Sequence, residues 1–61
     1  MPVVTITLAK GRSYDQKKRL SGEIARSVST ILDVPIERVT ILIHELDREN
    51  IALSGKLLSE G

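Results

Sequence analysis

The sequence predicts an α+β chain: a single β-α-β unit with parallel strands and a short C-terminal hairpin, completed by oligomerisation. Two observations predict the order of elements. Residues 2 to 9, PVVTITLA, and 39 to 46, VTILIHEL, are β-branched runs. Between them lies a capped apolar repeat with helical spacing. A third observation predicts the assembly. At 61 residues the chain, 1–61, is one domain at most, and with no Cys it has no disulfide to staple it.

In the first run Val4, Ile6 and Leu8 point one way and Val3, Thr5 and Thr7 the other, the period of a strand. Lys10-Gly11-Arg12 breaks it, and Gly11 suits a turn with unusual backbone angles. Ser13 reads as a helix N-cap, and Gln16 completes a capping box. Asp15 falls in the first turn, where it favours the helix dipole. Leu20, Ile24, Val28 and Ile31 form the apolar stripe, while Lys17, Lys18 and Arg19 read as solvated helix surface. Gly22 is costly inside a helix and suggests a close backbone contact. The helix ends near Asp33, because Pro35 disfavours helical geometry at Val34. The second strand is apolar on both faces except for Thr40, His44 and Glu45, as expected of a central or interface strand. Ile51 to Leu53, next to Ser54-Gly55, suggest a short strand or hairpin that pairs with a neighbour.

The composition excludes several classes. Nine basic and eight acidic residues give a net charge of +1, which argues against a nucleic-acid or polybasic membrane binder. No apolar run approaches the ~18 residues of a membrane span, and the N-terminus does not read as a signal peptide. The absence of Cys is compatible with a cytoplasmic protein. One His and no Cys leave no multi-histidine or thiolate metal site, so no metal or cofactor is expected. The apolar content of 41% exceeds what so small a core can hide, which again favours oligomerisation.

Few residues offer chemistry. A Ser-His-Asp set drawn from Ser13, His44 and Asp33 has no nucleophile motif behind it. Pro2 is the unusual feature. Met before a small residue is commonly removed, which would leave Pro2 as a secondary amine at a strand end. A free α-amino group titrates near about 7.7–8.0. Apolar surroundings or a nearby cation lower that further, giving a general base near neutrality. The alternative is an ordinary strand-start proline. Arg12, in the turn beside Gly11, can hold a carboxylate bidentately, or can be a solvated loop charge.

The start MPVVTITLAKGRS, followed by DQKK-x-L, resembles the 4-oxalocrotonate tautomerase family. The later VPIERVTILIHEL and the SGKL tail fit the same pattern, so the resemblance covers nearly the whole chain. It implies a tautomerase-like β-α-β subunit in a hexamer, a trimer of dimers, with Pro2 as catalytic base. It implies keto–enol tautomerisation of a small unsaturated 2-hydroxy (di)carboxylate such as 2-hydroxymuconate, an isomerase reaction of aromatic degradation. It matches Arg12 to an arginine that binds a substrate carboxylate, usually across a subunit boundary. Ile51 stands where the family has an aromatic wall, and supplies an apolar wall without a ring.

Thr40 stands where the family has a second arginine that polarises the substrate. Arg38 shares strand parity with Thr40 if the strand extends that far, and Arg48 lies in the tail; either can supply the charge that Thr40 lacks. These departures leave two alternatives to the usual reaction. One is different proline chemistry, hydration or dehalogenation. The other is a weakly active assembly subunit whose hetero-oligomeric partner supplies the missing arginine. His44 shares a face with Thr40 and Leu42 and reads as an interface or surface histidine, with Glu45 on the opposite face.

Overall fold

The computed structural model describes residues 1–60. Strand β1 spans Val3–Ala9, helix α1 Tyr14–Leu32 and strand β2 Thr40–Leu46, followed by short strands β3, Ala52–Leu53, and β4, Lys56–Leu57. Single 3₁₀ turns occupy Ile36–Arg38, Arg48–Asn50 and Leu58–Glu60.

The strands β1 and β2 pair in parallel, from Val3 opposite Thr40 to Ala9 opposite Leu46. The ladder is closed at one end by the Thr40 N–H donating to the Pro2 carbonyl at 3.0 Å. At the other end the Lys10 N–H donates to the Leu46 carbonyl at 2.9 Å. Parallel pairing obliges the chain to return between the strands, and α1 makes that return. It begins where Ser13 and Gln16 cap each other reciprocally, at 3.0 and 3.1 Å. It ends where Asp33 turns left-handed, at φ 54°, just ahead of Pro35. Replacing Ser13 by Ala removes one of these bonds and should cost about 1 kcal/mol, read by denaturation at fixed protein concentration.

One face of the sheet is covered. Val4, Ile6 and Leu8 of β1, Ile41 and Ile43 of β2, and Leu20, Ile24 and Val28 of α1 are all half-buried. The other face is open, with Val3, Thr5, Thr7, Leu42, His44 and Leu46 exposed. No side chain among the described residues is fully buried. The accessible surface is 4911 Å², against about 3,900 Å² for a compact chain of this mass. The radius of gyration is 14.5 Å, against about 10.5 Å for a compact domain of this length. The β3–β4 hairpin turns through Ser54 and Gly55, both with positive φ, at 55° and 79°.

Three expectations are corrected. Ile31 leaves the stripe and is 79% exposed, because it lies in the last helical turn at the margin of the covered face. Lys17 is not solvated surface: it is half-buried, and its ammonium donates to Glu45 of β2 at 2.9 Å. Gly22 makes no close backbone contact within the chain, since a Cβ there would meet only the Arg26 side chain, at 3.5 Å.

Candidate active site

Pro2 stands at the amino end of the sheet, half-buried and tied to Thr40 through its carbonyl. The returning helix finishes at this same end. Val3, the next residue, is 52% exposed, and Ile31 and Leu32 of the last helical turn and Ile36 of the following 3₁₀ turn are 79%, 57% and 43% exposed in the single chain. Arg38 also lies here, but in a 3₁₀ turn ahead of β2, so strand parity does not aim it with Thr40. Thr40 is the first residue of the strand.

Arg12 stands at the carboxyl end. Gly11, at φ 126°, turns the chain out of β1 through a conformation that L side chains rarely adopt, and Arg12 follows at once. It lines a cavity of about 190 Å³ with Leu8, Ala9, Lys10, Gly11 and Arg48. Lys10 is neutralised there by Asp47, at 3.1 Å. Among the described residues neither Arg12 nor Arg48 has a carboxylate partner. Next to Arg48 is Ile51, half-buried. Its N–H donates to the Arg48 carbonyl at 3.3 Å, and its own carbonyl accepts from the Leu58 N–H at 2.9 Å.

Pro2 and the Arg12 turn thus occupy opposite ends of the sheet. The extended chain from Pro2 to Lys10 covers about 26 Å at ~3.3 Å per residue, beyond the reach of an arginine side chain. Within one chain the two groups do not share a substrate-sized site. Ile51 lies at the arginine end beside Arg48, but it does not line the cavity that Arg12 and Arg48 share. Ser13 and Asp33 cap opposite ends of a 19-residue helix, so they form no triad with His44, which lies on the open face. A larger cavity of about 390 Å³ lies between α1 and β2 and is occupied at its rim by the Lys17–Glu45 pair. It includes neither Pro2 nor Arg12, so the chemistry is not placed there. No set of three described His, Cys, Asp or Glu residues could hold a metal ion. No described helix is long and apolar enough to cross a membrane.

The position of Arg48 is what sequence reasoning missed. The signal was present: in a parallel pair, residues just past both carboxyl ends are neighbours. Arg12 follows Ala9 and Arg48 follows Leu46 in that way.

The family model described as "Tautomerase enzyme" matches residues 2–61. The chain belongs to the 4-oxalocrotonate tautomerase family. Tautomerases are enzymes that interconvert keto and enol forms. A 2-hydroxymuconate tautomerase from Pseudomonas putida is 35% identical over 60 residues, covering 98% of this chain and 95% of that protein. The crystal structure of a 4-oxalocrotonate tautomerase homologue superimposes with a TM-score of 0.96 at 31% identity, covering 100% of this chain and 97% of the other. A subunit of the heterohexameric 4-oxalocrotonate tautomerase of Chloroflexus aurantiacus gives a TM-score of 0.94 at 28% identity, covering 98% and 97%. The expected β-α-β tautomerase fold, with parallel strands and a C-terminal hairpin, is therefore the observed one.

Proposed function

We propose that this tautomerase works with the amino group of Pro2, freed by removal of Met1, on an unsaturated 2-hydroxy acid such as 2-hydroxymuconate. Pro2 of one subunit faces Arg12 and Ile51 of another within a hexamer. The observation that carries this reading is the separation of Pro2 and Arg12 on a chain with an open sheet face that exposes Val3, Leu42 and Leu46. Subunit association covers that face and brings the two unlike ends of neighbouring sheets together. The hydroxymuconate tautomerase of P. putida and the heterohexamer of C. aurantiacus support the substrate class and the assembly by likeness.

In the proposed reaction the neutral Pro2 nitrogen accepts the enol hydroxyl proton. The dienolate spreads its charge from oxygen onto carbon, and the Pro2 ammonium returns the proton to carbon to give the ketone. No proton is gained or lost overall, so one group serves as base and then as acid. Burial of the amine against the neighbouring subunit disfavours its charged form and keeps it available as a base. Arg12 holds a carboxylate bidentately, and Ile51 walls the site.

The test is turnover of 2-hydroxymuconate by Met-free protein, followed by its dienol absorbance. Conversion well above the uncatalysed rate is expected, and none would contradict the reading. Arg12→Ala should chiefly raise KM. Loss of a charge-assisted bond is worth about 1.5–3 kcal/mol, or roughly tenfold to over a hundredfold. Unchanged kinetics would remove Arg12 from the site.

A further inference from the structure

We propose that Arg48 is the second guanidinium of the anion site, so that Arg12 and Arg48 together grip the 2-oxo acid end of the substrate. This rests on the reading above and deepens it. Both side chains line one cavity of about 190 Å³, and the third cation there, Lys10, is already paired with Asp47. Two like charges without carboxylate partners, held on adjacent turns, repel each other and favour a shared anion. Leu8 and Ala9 give the same cavity an apolar side.

A 2-oxo acid presents a carboxylate and a neighbouring carbonyl oxygen at one end, three acceptor atoms that two forked guanidiniums match. Arg12 takes the carboxylate. Arg48 takes the adjoining oxygen, on which negative charge develops as the hydroxyl proton leaves. Thr40 offers only a hydroxyl at the opposite end of its own sheet, and Arg38 shares no cavity with Arg12. The charge absent at Thr40 is therefore supplied from the arginine end. Recognition concentrates on the 2-oxo acid group, so a second carboxylate on the substrate is dispensable. The substrate class is 2-hydroxydienoates in general, with 2-hydroxymuconate one member.

The test has a binding arm and a kinetic arm, both on the assembled, Met-free protein. Calorimetry with hexanoate and 2-oxohexanoate isolates the extra oxygen. Wild type should bind 2-oxohexanoate at least about tenfold more tightly. Arg48→Ala should abolish that preference while leaving hexanoate binding in place, Arg48→Lys should restore part of it, and Arg12→Ala should weaken both ligands. On 2-hydroxymuconate, Arg48→Ala should lower kcat by about 10²–10³, because the bond matters most when charge has developed. Arg48 is exposed, and light scattering checks that each variant remains assembled. A preference unchanged in Arg48→Ala, or wild type that binds neither acid or both equally, would overturn the proposal. Pro2→Ala should keep the binding preference. Wild type that shows the preference without turnover would therefore reject the Pro2 chemistry and leave the two-arginine grip standing.

Discussion

Pro2→Ala, prepared without Met1, should lose about 10²–10⁴ in kcat/KM, the usual contribution of a positioned acid–base group. A second variant that retains Met1 should lose as much, because the Pro2 nitrogen is then an amide with no basic lone pair. The Ala variant keeps a basic nitrogen with a different shape and basicity, while the Met-retaining form keeps the ring without the base. The pH profile adds a sign. The working form of a base is neutral, so kcat/KM should fall as pH drops through the Pro2 value. In the proposed composite site the arginine facing Pro2 would disfavour the ammonium, so that fall is expected below the usual α-amino range of about 7.7–8.0. The Met-retaining protein should lack this limb. Rapid turnover by a chain shown by mass spectrometry to keep Met1 would rule the mechanism out.

Leu42→Glu should dissociate the protein and abolish activity. Leu42 lies on the open face opposite Thr5 and is 44% exposed in the single chain. If association buries this face, each copy of the variant must desolvate a carboxylate with no cation opposite it, a cost of several kcal/mol per ion. The single chain has no fully buried side chain among the described residues to fall back on, so dissociation should carry unfolding with it. Light scattering and circular dichroism at micromolar concentration read both effects. Arg19→Ala is the control, since Arg19 is 82% exposed on the helix and only loosely paired with Glu23 at 3.5 Å. A Leu42→Glu protein that stays assembled and active would show that the open face is not a structural interface.

Features set by neighbours in sequence were legible in the sequence. The capping box needs only Ser13 and Gln16, the strand faces need only alternation, and the positive-φ turns announce themselves at Gly11 and at Ser54-Gly55. Features set by where elements meet were not. Ile31 keeps helical spacing with Ile24, yet its exposure depends on where the covered face ends. Lys17 looked solvated because its partner, Glu45, is 28 residues away. Arg38 shared parity with Thr40 only on the assumption of a longer strand, and a 3₁₀ turn intervenes. For the candidate site, Pro2 and Arg12 were singled out by residue type and position, and Ile51 by resemblance alone. Their distribution over the two ends of the sheet required the parallel register, as did the pairing of Arg12 with Arg48 in one cavity.

The composite site, with Pro2 from one subunit and Arg12 from another, is tested most directly by mixing subunits. Pro2→Ala and Arg12→Ala proteins are unfolded together in equal amounts, refolded and assayed on 2-hydroxymuconate far below the raised KM of Arg12→Ala, where each is nearly inactive alone. Random assembly places an intact Pro2 opposite an intact Arg12 in about a quarter of the sites when the two come from different subunits. Recovery of about a quarter of wild-type activity is therefore expected, rising and falling with the mixing ratio. Mixed oligomers demonstrated by mass spectrometry that remain as inactive as their parents would contradict it, since a site built from one chain can never be repaired by its neighbour.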